Sequence, residues 1–138
     1  MSERYAVDTS VAVPLLVRPH EAHAAVAEWA RGKRLCLSGH AAVETYSALT
    51  RLPGLRVSGA DAVQVMDDAF AEVLAFPEAL TAGVHRELAR YGLAGGAAYD
   101  ALVALAAREH GLVLATRDAR ARGTYEAVGA RVVVLVSD

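Results

Sequence analysis

The chain has a single cysteine, Cys36, and a single lysine, Lys33, among its 138 residues. One cysteine excludes an intramolecular disulfide and any thiolate zinc site. Its setting, Leu35-Cys36-Leu37, reads as a small buried strand residue rather than a reactive thiol. No apolar run reaches transmembrane length. The start carries Glu3 and Arg4 with no long apolar region after them, so no signal peptide is expected and the setting is expected to be cytoplasmic. The chain also lacks repeats, linkers and low-complexity tracts. A net charge of −2 offers no overall pull toward nucleic acid, and charged residues at 22% are the ordinary share of a folded domain. What is there is a 54% hydrophobic chain, enough for one core and one domain spanning 1–138.

Short apolar runs alternate with helical patterns. Strands are expected at Arg4–Val7, Arg34–Leu37, Leu112–Ala115 and Arg131–Val136. Helices are expected from Ser10 through Leu16 with Pro14 in the first turn, and over Glu21–Arg31. Others run from Ser38 or His40 through Leu52, from a Ser58 cap to about Phe70, and over Glu78–Arg90, Ala97–His110 and Ala119–Val128. Strands alternating with helices, and apolar on both faces, indicate an α/β fold with a parallel sheet.

Four acids stand beside these strand ends and helix starts: Asp8, Glu44, Asp100 and Asp118. In a parallel sheet, sites form outside the C-terminal strand ends, where strand order switches. Two carboxylates about 4 Å apart repel by about 4 kcal/mol at an effective dielectric of about 20. Four in one pocket need a cation or protonation, and Mg²⁺ or Mn²⁺ is the hard cation that oxygen ligands select. Such an ion activates water against a phosphodiester, and a remaining carboxylate orients or deprotonates that water. Taken singly each acid has a plainer explanation. Asp8 and Asp118 suit helix caps, Asp100 suits a helix dipole, and Glu44 suits a solvated helix face.

Thr9 and Thr116 add hydroxyls beside two of the acids, and Arg117, Arg120 and Arg122 flank Asp118. A guanidinium there matches phosphate. For Arg117 a surface ion pair is an equal alternative, and Arg122 reads as solvated. His20 and His23 lack a third ligand nearby, His40 lies one turn before Glu44, and His85 and His110 read as surface residues. The helix over Gly59–Glu72 has a polar stripe of Asp61, Gln64, Asp68 and Glu72, with most of its remaining circumference apolar. It is either packed on two sides or an interface.

Four stretches in order carry a resemblance: Val7-Asp8-Thr9-Ser10-Val11, Ala42-Val43-Glu44, Tyr99-Asp100-Ala101-Leu102-Val103-Ala104, and Leu114-Ala115-Thr116-Arg117-Asp118. Together they resemble PIN-domain ribonucleases of the VapC type, toxins of bacterial toxin–antitoxin pairs. The likeness runs along almost the whole chain, although Arg56–Tyr91 carries none of its motifs. It implies a single PIN-like domain, a three-layer sandwich with a mostly parallel sheet between helices. It implies Mg²⁺ or Mn²⁺ held by Asp8, Asp100 and Asp118, with Glu44 as fourth acid. It further implies cleavage of RNA, transfer RNA being a frequent target. The implied partners are a VapB-like antitoxin that blocks the active site and a second copy of the chain, with Gly59–Glu72 as a candidate interface. Three other readings are weaker. An aspartyl phosphatase needs an acid where Ser10 stands, and a phospho-receiver domain needs a late lysine. A non-catalytic PIN-like module binding RNA or a partner would have lost an acid, and all four are present.

Overall fold

The structure, a computed structural model, describes residues 3–135. The first half lays down β1 (Glu3–Val7), α1 (Thr9–Leu16), α2 (His23–Ala30), β2 (Lys33–Ser38), α3 (Ala41–Thr50), α4 (Gly59–Ala69) and β3 (Glu72–Leu74). The second half adds α5 (Glu78–Thr81), α6 (Val84–Arg90), α7 (Gly96–Glu109), β4 (Leu114–Thr116), α8 (Arg122–Ala127) and β5 (Val132–Val134). Among the described residues the strands form one sheet in the order β3-β2-β1-β4-β5, and every pairing is parallel.

Successive side chains of a strand point to opposite faces. In the central strands consecutive residues are all buried: Ala6-Val7, Leu35-Cys36-Leu37 and Leu114-Ala115-Thr116. Both faces of the sheet are therefore covered, giving the expected three layers. Helix α7 supplies much of the cover, with Ala101 and Val103 through Ala107 buried. Its many alanines let the backbone come close to the sheet. Ser38, the last residue of β2, donates a 2.6 Å hydrogen bond to the carbonyl of Val103 and ties α7 to the strand end.

The chain moves outward from β1 to β2 and β3, then crosses back to place β4 on the other side of β1. The switch in order lies between β1 and β4, so a crevice opens outside Val7 and Thr116. Asp8 and Asp118 lie just past those two ends.

Several elements differ from expectation. Strand β3 was not foreseen. It is three residues long, begins with an acid and has Val73 exposed, so it carries no strand pattern of its own. Its place comes from pairing with Cys36–Ser38. The helix expected over Glu78–Arg90 is two, with Ala82 and Gly83 between them. Pro14 sits inside α1 rather than in its first turn, because the helix already begins at Thr9 with Asp8 at the N-cap. Its carbonyl is held instead by His23 Nδ1 at 2.8 Å. Helix α4, capped by the Ser58 hydroxyl, is not packed on two sides: Val63 and Val65 are 49% and 39% exposed. Val136, at the end of the expected last strand, lies outside the described residues.

Candidate active site

Four separate elements bring Asp8, Glu44, Asp100 and Asp118 to one cavity of about 200 Å³. Asp8 joins β1 to α1, Glu44 lies in the first turn of α3, Asp100 in the second turn of α7, and Asp118 just past β4. Thr9, Ser10, Val103 and Tyr125 complete the wall.

Asp8 is 5% exposed. It occupies the N-cap position of α1, yet its side chain makes no capping hydrogen bond. The carboxylate is held elsewhere. Ser10 Oγ donates to Oδ1 at 2.6 Å, and the buried Tyr125 hydroxyl donates to Oδ2 at 2.8 Å. A carboxylate has about four lone-pair sites, so each oxygen keeps acceptor capacity toward the cavity.

The Ser10 proton goes to Asp8, so Ser10 Oγ must accept from its other neighbours. The Arg117 backbone N–H reaches it at 2.7 Å and the Thr116 hydroxyl at 3.2 Å. Thr116 Oγ1 in turn accepts from the Asp118 N–H at 3.0 Å. The bonds therefore run in one direction, from the Asp118 amide through Thr116 and Ser10 to Asp8. Chains of this kind strengthen one another in a low dielectric.

Asp118 Oδ1 accepts from the Arg120 N–H at 3.0 Å, and Arg120 Nε stands 3.7 Å from the same oxygen. This closes the turn that leads toward α8, but that helix begins at Arg122 with Ala121 at its N-cap, so Asp118 does not cap the helix expected over Ala119–Val128.

The acids feel one another. Burial holds the Glu44 carboxyl above its ordinary value, His40 opposes the shift, and Asp100 and Asp8 add to it. Burial raises Asp100 too, with Asp118 and Asp8 adding to it. Burial first, and then Asp8, push the Tyr125 hydroxyl far up, so it stays a donor. Three of the acids thus act on the protonation of the others, as expected of negative charges sharing a partly dry pocket.

The donor set is all oxygen. No three His, Cys, Asp or Glu side chains among the described residues are already gathered as a finished ligand shell. The carboxylates stand around a cavity instead of meeting at a point. That arrangement fits Mg²⁺, which keeps several waters and can be held partly through them.

Two expected contributors are placed differently. Thr116 is fully buried and supports Ser10 and Asp118 rather than facing the cavity. Arg117 lines another cavity, with Ala25, Val26, Trp29 and Val133 through Leu135. The residue one past a strand end is turned by the local backbone, not by its neighbours in sequence. Arg120 remains beside the acids, its side chain 96% exposed. Arg122 pairs with Glu126 on the surface at 2.9 Å. His20 and His23 serve backbone partners, Ala22 N–H and the Pro14 carbonyl. Cys36 is buried, and burial pushes its thiol up, as the inert reading requires.

Ser10 and Tyr125 were missed. Ser10 carried a signal, a hydroxyl two residues after the first acid. Tyr125 carried none, since it meets Asp8 across most of the chain.

The model of the PIN domain matches residues 5–127. The chain belongs to the PIN-domain family. Its relatives are VapC proteins. It is 54% identical over 135 residues to Ribonuclease VapC27 of Mycobacterium tuberculosis, covering 97% of this chain and 98% of that protein. It is 44% identical over 124 residues to Ribonuclease VapC40 of the same species, covering 88% and 91%. The fold of this PIN domain is shared with VapC20 of Mycobacterium tuberculosis, a sarcin–ricin loop cleaving toxin. That match has a TM-score of 0.65 at 20% identity and covers 91% of this chain and 95% of the other. It is also shared with VapBC2 of Rickettsia felis bound to a DNA fragment from their promoter, at TM-score 0.67 and 13% identity, over 96% and 99%.

Proposed function

We propose that this PIN domain is the ribonuclease toxin of a toxin–antitoxin pair, and that it cuts RNA with the help of Mg²⁺ or Mn²⁺. One observation carries the reading: four carboxylates from four elements line a single cavity at the switch point of the sheet. The 54% identity to Ribonuclease VapC27 over nearly the whole of both chains supports it.

Asp8, Asp100 and Asp118 would hold the ion, and Glu44 is the fourth acid. When bound, the ion lowers the pKa of water and neutralises charge on the scissile phosphate. The protein's own residues do the rest. Ser10 and Tyr125 fix the rotation of Asp8. Glu44, its proton affinity raised by burial, is suited to accept a proton from the attacking water. Arg120 stands beside Asp118 with a free guanidinium edge for a neighbouring phosphate. Transfer RNA is the substrate class to test first.

An antitoxin partner is supported by structural neighbours such as VapBC2. The exposed apolar side chains Tyr46, Leu55, Val63 and Val65 near α3 and α4 suit a protein interface, with the antitoxin or with a second copy. Among the described residues no helix is long and apolar enough to cross a membrane.

The test is cleavage of RNA by the purified protein in chelator, Mg²⁺ and Mn²⁺, beside Asp100→Asn. Cleavage that requires the ion and disappears in the folded variant supports the reading. Wild-type rates in Asp100→Asn reject it.

A further inference from the structure

A second groove opens from the acid cavity. It has a volume of about 300 Å³ and shares Thr9 and Glu44 with its neighbour, which puts it at the small end of ligand sites. One face of α3 lines it: His40, Glu44, Ser47, Ala48 and Arg51, spaced as one side of a helix. Glu44 stands at the end shared with the acids. Arg51, one residue past the helix, stands exposed at the other.

His40, in the wall of this groove, stacks its ring on Tyr99, with centroids 5.4 Å apart and planes 28° from parallel. Tyr99 immediately precedes Asp100 in α7, and it is 59% exposed. One face of its ring rests on His40, so the exposure comes from its other face and edge. The stack also joins the helices that carry Glu44 and Asp100. An exposed aromatic side chain thus stands directly beside Asp100.

We infer that this groove seats the nucleotide next to the scissile phosphate, its base stacked on the open face of Tyr99 and its outer phosphate paired with Arg51. The inference rests on the ribonuclease reading and adds where the substrate lies. Aromatic faces hold single-stranded bases of any sequence, because every base has a π-face. The guanidinium answers the next phosphate, and the Thr9 and Ser47 hydroxyls are placed for the sugar. Arg51 lines the groove and Arg120 stands beside Asp118, so the RNA strand has a guanidinium at each of these two places. Tyr99 is a specificity and positioning residue in this scheme.

The experiment uses the full chain and a short single-stranded RNA that the wild type cuts once. Cleavage is compared with oligonucleotides made abasic at each nucleotide flanking the cut. Tyr99→Ala should lower kcat/KM about 5- to 150-fold, and Tyr99→Phe should restore it. One abasic position should cost the wild type a similar factor and cost Tyr99→Ala nothing further. Arg51→Ala should flatten the salt dependence of binding. Circular dichroism controls for folding, since Tyr99 and Arg51 are exposed. Full activity in Tyr99→Ala, or equal abasic losses in both proteins, overturns the subsite while the ribonuclease reading stands. Loss of antitoxin capture in Tyr99→Ala with cleavage intact assigns the face to protein and overturns it as well. No cleavage of any RNA by the wild type in Mg²⁺ or Mn²⁺ overturns both.

Discussion

The phenolic oxygen of Tyr125 lies 2.8 Å from Oδ2 of Asp8, although 117 residues of chain separate them. Asp8 follows the first strand and Tyr125 sits in the last described helix. Both residues line the cavity, and the bond holds the most buried of the four acids. Tyr125→Phe keeps the ring and removes only this donor. Hydrogen bonds to charged groups contribute about 1.5–3 kcal/mol, and partners behind a metal ligand are worth about 10–100-fold in affinity or activity. The variant should fold, melt lower and cleave RNA about 10–100-fold more slowly, with a matching loss of Mn²⁺ affinity by titration. Unchanged activity would make the bond purely structural.

The pocket's acids should set a pH dependence of stability. Burial and neighbouring acids hold Glu44 and Asp100 above their ordinary values of 4.5 and 3.8. The folded state therefore keeps protons that the unfolded chain has released. Their contribution to stability is fully present below the ordinary values and is lost as pH rises from about 4 through the folded ones. Asp8, Asp118 and His40 face these groups, and of them only His40 opposes the trend. In chelator, the wild type should lose melting temperature over that window. Asp100→Asn should flatten the loss and melt higher at neutral pH. Melting curves across pH decide it, and an equal slope in both proteins would remove Asp100 from the shared field.

A divalent cation should reverse the same penalty. Binding to the folded state alone adds about 2.7 kcal/mol at a hundredfold excess over the dissociation constant. Mn²⁺ or Mg²⁺ should raise the wild-type melting temperature and raise that of Asp100→Asn much less. An identical response in both would show that Asp100 takes no part in holding the ion.

The two arginines beside Asp118 should separate. Arg120 stands exposed beside Asp118, whereas Arg117 lines the cavity near Trp29. Arg120→Ala should weaken RNA binding and lower the salt slope by about 1. Arg117→Ala should leave the slope unchanged. RNA affinity at two salt concentrations checks both, and the reverse pattern would place Arg117 at the substrate.

Gly39 should tolerate no side chain. Its φ is +53°, and an added Cβ would meet Ala106 Cβ at 3.1 Å and the Leu102 carbonyl oxygen at 3.3 Å. It joins β2 to His40 and α3. Gly39→Ala should cost about 1–2 kcal/mol from the backbone alone, with activity falling as α3 shifts Glu44. Denaturant unfolding measures the first and RNA cleavage the second. An unchanged midpoint would show that the turn relaxes freely.

The sequence by itself determined the alternation of strands and helices, the Ser58 cap, and four acids at strand ends and helix starts. These follow from local rules: apolar period reports how many faces are buried, and caps report where backbone amides need partners. The resemblance added the family, through motifs that are also local. Only the tertiary structure decided which face meets which. It brought Glu44 and Asp100, on different helices, to the same cavity as Asp8 and Asp118. It set Arg117 on the wall of another cavity and left Arg120 beside Asp118. It made a strand of Glu72–Leu74 by pairing alone, and it left Val63 and Val65 exposed, so that of the two readings of that helix the packed one falls. Above all it set Tyr125 behind Asp8, since a hydrogen bond needs two atoms within about 3 Å and nothing in the spacing of a chain records that approach.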